Sequence, residues 1–365
     1  MEQRKFIPQM EPWHGEEEKR AVNEYLDSGG WLMDFKRTRE FEKAICDYTG
    51  AKYCCVLPNG TLTLFVALNA LGIGKGDEVI VPDYTMIASP NAVKLAGAEP
   101  VFVDIDPETL CMDVNLVKKA ITPRTKAIMH VSINGRAGDL DKLVALCKEK
   151  NIPLVEDAAQ SLGSFYKGKH LGTYGIVGSF SFSVPKIITT GQGGALITDD
   201  EALYGKIRKI KDFGRVGDGL DVHDMMGWNF KFTDVQAVIG IEQMKKLPWR
   251  VERKKEIYSL YNKLLKGVKQ VKFIGTDLEA VSPWFIDVLV EDRENLVKFL
   301  KENGIGSRPF YPPIHVQKIY SYVSGKYPNT EAICQKGLWL PSASKLSDDE
   351  IIFICKKISE FYGHR

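Results

Sequence analysis

Short apolar runs alternate with helical stretches through the first two thirds of the chain. The apolar runs predict buried strands at residues 78–81, 100–103, 127–131 and 152–155. Helical periodicity predicts helices over residues 61–71 and 140–150. Because strands that are apolar on both faces alternate with helices, we expect a mainly parallel sheet covered by helices.

The pattern changes after Leu203, where long helical stretches appear. They predict helices over residues 232–246 and 250–265. A strand, a further helix and a proline-rich loop are then expected at 284–290, 293–303 and 309–313. The length of 365 residues corresponds to about two domains. We predict a large α/β domain over residues 1–245 and a smaller C-terminal α+β domain over 246–365.

The composition is that of an ordinary globular protein, with 44% apolar and 26% charged residues. A formal net charge of +2 gives no electrostatic case for nucleic-acid binding. The seven cysteines have no C-x-x-C spacing, so we expect reduced thiols and no metal site. The first 15 residues lack the apolar centre of a signal peptide, and no run reaches the roughly 18 apolar residues of a membrane helix. We therefore predict a cytoplasmic protein without a membrane segment.

Two polar segments stand where ligands bind in parallel α/β folds, beyond the carboxyl ends of strands. Asn59-Gly60-Thr61 opens a predicted helix, whose free N–H groups and dipole attract a phosphate. Asp157 follows the strand at 152–155, and a buried carboxylate there requires a partner such as a protonated heterocyclic nitrogen. Taken alone, each segment is also explained as a helix cap.

A third segment carries one lysine between a Ser/Phe alternation and the glycine-rich turn Gly191–Gly194. Apolar flanks lower the pKa of Lys186 by desolvation, which makes its amine available to bond an aldehyde. Ser181, five positions earlier, offers a hydroxyl group to an anion. The alternative is an exposed lysine beside a hairpin.

The fourth segment, Gly227–Gln236, places Asn229 among aromatic residues just before a helix, and alone it is a loop and cap. Together the four segments supply a lysine for an aldehyde, an aspartate for a ring nitrogen, and a Gly-Thr and Ser cup for a phosphate. These are the groups that pyridoxal 5′-phosphate (PLP) needs.

With these motifs in order, the chain resembles the DegT/StrS group of PLP-dependent sugar aminotransferases. The motifs that carry the resemblance run nearly end to end and are Phe41-Glu42, Asn59–Thr61, Gly76–Pro82, Ala98–Asp104, Glu156–Gln160, Lys186 with Gly191–Gly194, Gly227–Phe230, Ser307–Pro309 and His315. Lys186–Gly191 is most similar to the perosamine-synthase type. The resemblance implies PLP fold type I, which is aspartate-aminotransferase-like, with a mainly parallel seven-stranded sheet, helices on both faces and a smaller C-terminal α+β domain.

The resemblance also implies an activity. An amino group would move from L-glutamate to a nucleotide-linked 4-keto-6-deoxy sugar, for amino-sugar and surface-polysaccharide (O-antigen) biosynthesis. The cofactor would be PLP, and the protein would be a homodimer whose subunits share their active sites. The sequence leaves open the nucleotide, the sugar epimer, amination at C3 or C4, and the number of subunits beyond two.

Roles for individual residues are implied in the same way. Lys186 would bind PLP covalently and act as general acid and base, and Asp157 would pair with the ring nitrogen. Gln160 would lie near the 3-hydroxyl group, and Asn229 would reach the phosphate of the neighbouring subunit. The implied cofactor-binding residues are Gly60, Thr61, Met86, Asp157, Gln160, Ser181, Lys186 and Asn229. The implied substrate contacts are Arg308, Tyr311 and His315.

Three departures from the family pattern affect these expectations. Met86, beside Tyr84, stands where the family has an aromatic residue that stacks on the PLP ring. Gln192 replaces the glutamate of a Gly-Glu-Gly-Gly motif, and Met33–Lys36 replaces a Gly-Pro segment. Two alternatives stay open: a PLP-dependent sugar dehydratase and a non-catalytic regulator with a PLP fold. Lys186 favours transamination, because relatives that are dehydratases have histidine at this position.

Overall fold

The computed structural model describes residues 6–217 and 219–363, and its elements are numbered here in chain order. The strands are β1 (Tyr53–Leu57), β2 (Glu78–Pro82), β3 (Glu99–Val103), β4 (Thr125–Val131), β5 (Leu154–Asp157), β6 (Phe165–Tyr166), β7 (Lys169–His170), β8 (Val177–Ser181), β9 (Gly194–Thr198), β10 (Val271–Phe273), β11 (Ile286–Val290), β12 (Arg308–Pro309) and β13 (Gly337–Leu340). The α-helices are α1 (Glu16–Asp27), α2 (Lys36–Thr49), α3 (Gly60–Ala70), α4 (Ala88–Leu95), α5 (Val114–Ala120), α6 (Leu140–Lys150), α7 (Glu201–Lys211), α8 (Asp234–Leu265), α9 (Arg293–Glu302), α10 (Pro328–Lys336) and α11 (Asp348–Phe361). Short 3-10 helices cover Ile133–Gly135 and Lys318–Tyr320.

The larger sheet has seven strands in the order β1-β9-β8-β5-β4-β2-β3. The neighbours from β8 to β3 pair in parallel, and β9 runs antiparallel to both β8 and β1. Alternate residues of one strand serve the two faces: Val79 and Val81 join the core beneath α3, while Ile80 packs with α5 and α6. The predicted mainly parallel seven-stranded sheet with helices on both faces is confirmed.

Most elements predicted in the first part of the chain lie where the pattern placed them. Residues 78–81, 100–103 and 127–131 fall within β2, β3 and β4, and α6 has the predicted bounds. The strand predicted at 152–155 begins two residues later, at Leu154. Residue 153 is a proline, which has no N–H group to donate to a neighbouring strand.

A second, antiparallel sheet follows in the chain, with the strand order β10-β11-β13-β12. Helices α9 and α11 cover it, and their apolar residues form one buried cluster with those of the sheet. The strand predicted at 284–290 is β11, which begins at Ile286, and the helix predicted at 293–303 is α9. The division into domains at residues 245 and 246 falls inside α8 and stays a prediction.

Helix α8 corrects the prediction of two helices over residues 232–246 and 250–265. It is one helix of 32 residues that begins after its N-cap Thr233 and contains Pro248. A proline inside a helix removes a hydrogen bond and usually ends or kinks it. Here tertiary packing outweighs that cost. The first half of α8 packs into the core of the larger sheet through Leu247 and its neighbours, and the second half packs into the core of the smaller sheet through Ile257 and Tyr261.

A buried ion pair connects the two sheets. Arg136 follows the 3-10 helix after β4, and its guanidinium binds both carboxylate oxygens of Asp287 on β11, each at 2.7 Å. The same guanidinium donates to the carbonyl of Gly275 and the hydroxyl of Thr276, so its N–H groups are satisfied away from water.

Across the described residues, none of the helices is long and apolar enough to span a bilayer.

We expect Asp287→Asn to lower the free energy of unfolding by about 3–5 kcal/mol, because it leaves the charge of Arg136 buried without its partner. Asp47→Asn, which removes an exposed ion pair with Lys43, is the control and should change the stability by less than about 1 kcal/mol. Urea unfolding followed by circular dichroism measures both. Equal losses in the two variants would contradict the structural role of the buried pair.

Candidate active site

Lys186 lies between β8 and β9, in a turn where its backbone N–H donates to the carbonyl of Ser183. Its amine lies 3.9 Å from the ring centroid of Trp284. Burial is the main cause that lowers the pKa of this amine, the guanidinium of Arg308 also lowers it, and the carboxylate of Asp157 opposes the change; together they bring the pKa to about 8. A fraction of the amine is therefore neutral near physiological pH, as nucleophilic attack requires.

Asp157 ends β5, the strand next to β8 in the sheet. One carboxylate oxygen accepts a hydrogen bond of 2.7 Å from the hydroxyl of Ser89, and the other accepts one from the N–H of Ala159. Burial raises the pKa of this carboxyl, and these hydrogen bonds and the charge of Lys186 oppose the increase. The fold thus brings the predicted lysine and aspartate close enough for their charges to interact, beyond the carboxyl ends of the neighbouring strands β5 and β8.

The start of α3 lies against the end of β8. A Cβ atom added at Gly60 would lie 2.9 Å from the Cβ atom of Ser181, so a larger residue does not fit without movement. The side chain and carbonyl of Asn59 accept from the amides of Leu62 and Thr63. The amides of Gly60 and Thr61, at the first two positions of the helix, have no acceptor among the backbone hydrogen bonds of the described residues and are available to a ligand. This arrangement suits an anion such as a phosphate.

Gln160 lines a narrow cavity together with Ser181, Lys186 and Trp284. Its side-chain oxygen accepts from the backbone N–H of Asn134 at 2.8 Å, which fixes the amide and leaves its NH₂ group as a donor. Asn134 has a left-handed backbone with φ of 54°, a conformation that asparagine tolerates better than most residues.

The segment after β2 contains both Tyr84 and Met86. Tyr84 is fully buried and packs against Phe310 and Tyr311, so its ring is part of the core. Met86 is exposed just before α4, three positions ahead of Ser89, the residue that binds Asp157. Of the two, Met86 is therefore the side chain with an exposed surface.

The three predicted substrate residues have different surroundings. The guanidinium of Arg308 lies over the rings of Tyr311 and Trp339, and its charge acts on Lys186. Burial raises the pKa of Tyr311 to about 12, with Arg308 opposing and Asp157 adding to the increase. These two residues therefore belong to the electrostatic surroundings of the lysine and aspartate.

His315 is held differently. Its Nδ1 lies 2.6 Å from a carboxylate oxygen of Asp83, the residue directly after β2, and its Nε2 lies 3.4 Å from Glu331. Its ring nitrogens thus face two carboxylates, and the described contacts do not join it to Lys186 or Asp157. Asn229 is likewise outside that cluster: its side chain is exposed and its backbone pairs with Asp212.

Three residues of the site were not predicted from the sequence: Ser89, Asn134 and Trp284. Trp284 was read only as part of a strand, and Ser89 as part of no motif. Asn134-Gly135 is a dipeptide that commonly marks a turn, and this was the available signal for Asn134. For the other two, the relevant contact is with a residue 68 or more positions away.

The sequence matches the DegT/DnrJ/EryC1/StrS aminotransferase family over residues 12–359. The chain belongs to this family. It is 39% identical to GDP-perosamine synthase from Escherichia coli O157:H7, over 99% of this chain and 100% of that protein.

Solved structures of aminotransferases have the same fold. The aminotransferase TlmJ from Streptoalloteichus hindustanus superimposes with a TM-score of 0.92 at 32% identity, over 96% of this chain and 97% of that one. The PLP form of the putative sugar aminotransferase Spr1654 from Streptococcus pneumoniae superimposes with a TM-score of 0.93 at 28% identity, over 98% of this chain and 99% of that one. The prediction of a PLP-dependent nucleotide-sugar aminotransferase is confirmed, and the dehydratase alternative is not favoured.

The depressed pKa of Lys186 makes stability depend on pH. Between about pH 8 and 10.5 the unfolded chain holds a proton on this amine that the folded chain has released. Stability therefore rises with pH across this window. We expect Lys186→Met to be more stable than the wild type at pH 8, without coenzyme, and this difference to shrink by about 3 kcal/mol by pH 10.5.

Urea unfolding of the two coenzyme-free proteins across this pH range measures the difference. Comparison with Lys186→Met isolates this amine from other groups that titrate in the same range. A difference in stability that stays constant from pH 8 to 10.5 would show that the amine is not desolvated as described.

Proposed function

We propose that the enzyme transfers the amino group of L-glutamate to C4 of a GDP-linked 4-keto-6-deoxy sugar. The end-to-end similarity to GDP-perosamine synthase supports the choice of sugar nucleotide. The observation that carries the proposal is the buried amine of Lys186, electrostatically coupled to the carboxylate of Asp157. The seven free cysteines support a cytoplasmic location for this reaction.

The residues present fit PLP. Lys186 would bond the coenzyme covalently, and Asp157 would accept the N–H of its ring. The amides of Gly60 and Thr61 with the hydroxyl of Ser181 would hold the phosphate, because the close approach of the two segments leaves donors but no side-chain bulk between them. Two further contacts complete the set: Gln160, whose NH₂ group is left as a donor, and Met86, whose thioether would contact the ring face.

Bound PLP supplies an aldehyde that accepts the amino group and a ring that withdraws electrons from the reacting carbon. Lys186, once released, would take the proton from the α-carbon of the amino donor and return a proton in the second half of the reaction. Its lowered pKa of about 8 suits both duties, since general acid–base catalysis is most effective when the pKa is near the working pH.

Asp157 would keep the ring nitrogen protonated. Its orientation is fixed before any ligand binds, because Ser89 and Ala159 each donate to one of its oxygens. A buried carboxylate is costly in the absence of a positive partner, and a protonated ring nitrogen would supply one. Arg308, whose charge acts on Lys186, and Tyr311, on which the charges of Arg308 and Asp157 act, are proposed to contact the substrate.

For His315 we propose only an indirect role at the substrate. Both its ring nitrogens face carboxylates, so it would act at the substrate through the position of its segment rather than through a free nitrogen.

We further propose a homodimer in which Asn229 reaches the phosphate site of the partner. Its exposed side chain follows, in sequence, a segment whose large apolar side chains are also exposed, as expected for a surface covered by a second copy. Together with those of a second segment, these side chains are Trp31, Leu32, Met33, Phe35, Phe213, Val216, Leu220, Val222 and Met226. Members of both segments, including Trp31 and Val216, line one recess.

A panel of nucleotide-linked keto sugars with glutamate and other amino donors tests the proposed reaction. Product mass and proton NMR should identify a GDP-linked 4-amino-6-deoxy sugar formed at the expense of glutamate. A deoxy-keto product would favour dehydration. Failure to convert PLP to pyridoxamine phosphate with any donor would favour a non-catalytic regulator.

Asp157→Asn should keep the fold and bind PLP but lose at least about 100-fold in turnover, since the amide cannot hold a protonated ring nitrogen. Absorbance of the bound coenzyme and steady-state rates measure the two properties separately. Asp47→Asn is the matched control, an exposed aspartate on α2 that should leave both unchanged. Turnover of Asp157→Asn close to that of the wild type would refute the role of this carboxylate.

Shared active sites predict complementation. Lys186→Ala and Asn229→Ala should each be inactive alone. In a mixed dimer one of the two sites would have both residues intact, so co-expression should restore part of the activity. Tandem affinity purification with two tags isolates the mixed dimers, and their inactivity would argue against shared sites.

A further inference from the structure

The amine of Lys186 is covered by an aromatic ring from a distant part of the chain. Its Nζ atom lies 3.9 Å from the ring centroid of Trp284. The indole N–H of Trp284 donates to the carbonyl of Pro185 at 2.7 Å, directly before the lysine. The ring is therefore tied to the same turn whose amine it contacts.

A buried lysine on α8 binds the backbone carbonyl of Trp284. Lys254 is fully buried, and its amine donates to the carbonyl of Trp284 at 2.7 Å and to that of Ser342. Burial and, to a smaller extent, the charge of Arg250 together lower the pKa of Lys254 to about 7. Both of its bonds go to carbonyl groups, and the described residues place no carboxylate in ion-pair contact with it.

The same helix also forms hydrogen bonds with the backbone of the residues that follow Lys186 in sequence. One turn before Lys254, the guanidinium of Arg250 donates to the carbonyl of Ile187 at 2.7 Å. The side-chain oxygen of Gln243 accepts from the backbone N–H of Thr189. Polar groups of α8 thus reach both the turn that carries the lysine and the segment before β11 that carries the indole.

We propose that Trp284 is a further residue of the active site, whose indole face holds the amine of Lys186, and that Lys254 is a positioning residue that acts through Trp284. The proposal rests on the assignment of Lys186 as the coenzyme lysine. An ammonium group over the face of a desolvated indole is stabilised by the ring quadrupole. The charged groups that act on the amine are Asp157 and Arg308, and the ring adds an uncharged contact to these two.

Trp284→Leu tests the contact, because it keeps an apolar neighbour but removes the π-face. We expect the pKa of the Lys186 amine to fall by about one pH unit in the coenzyme-free, full-length protein. Competitive acylation with acetic anhydride between pH 6 and 11, followed by peptide mass spectrometry, reports this pKa. Trp284→Phe, which keeps a weaker aromatic face, should give a smaller fall and remains informative if the leucine variant does not fold. Trp249→Leu makes the same change at a partly exposed tryptophan that packs on Trp13, and it should leave the pKa unchanged.

Lys254→Met tests the second part of the proposal. If Lys254 acts by fixing Trp284, its loss should also lower the pKa of Lys186, and the double variant should be no lower than Trp284→Leu alone. If Lys254 instead acted directly through its charge, its removal would raise the pKa, because a nearby positive charge disfavours the ammonium form.

Three results would overturn the proposal: an unchanged or higher pKa in both Trp284 variants, a rise in Lys254→Met, or additive effects in the double variant. Because the measurement is made without coenzyme or sugar, its outcome is independent of the amino donor and the sugar nucleotide that the enzyme uses.

Discussion

The site depends on an amine and a carboxylate that the fold holds together away from water. Removing either charge from water costs several kcal/mol, and their mutual attraction offsets only part of that cost. Burial accordingly lowers the pKa of Lys186 and raises that of Asp157, and each group partly reverses the change in the other. In the proposed roles, Lys186 would bond the coenzyme and Asp157 would accept from its ring nitrogen, which would relieve both penalties. The chemistry of the family is therefore linked to the stability of the site.

Helix α8 helps to hold this buried site in place. Its first half belongs to the core of the larger sheet and its second half to that of the smaller one, so the helix is fixed from both sides. From this position Arg250 and Lys254 bind carbonyl groups close to the lysine in sequence and in space. The ion pair between Arg136 and Asp287 makes a second connection between the sheets. The geometry around Lys186 is thus set by packing that involves most of the chain.

The sequence predicted the parts of this structure that local pattern or strand-end chemistry determines. Strands β2 to β4 and the positions of Lys186 and Asp157 could be found because periodicity and polar residues at strand ends are local signals. The continuity of α8 through Pro248 could not, because it depends on two cores that form only in the folded chain. Trp284 and Ser89 were missed for the same reason. The engagement of His315 by Asp83, 232 positions earlier, also lies beyond what local pattern reports.

Borohydride reduction of the PLP-loaded protein, followed by peptide mass spectrometry, shows directly which lysine bonds the coenzyme. Reduction makes the bond between a lysine and the coenzyme permanent, so the labelled peptide identifies the residue. The mass of the coenzyme should be found on Lys186, and Lys186→Ala should take up no label. Label on a different lysine of the wild-type protein, or none at all, would rule out Lys186 as the residue that bonds the coenzyme.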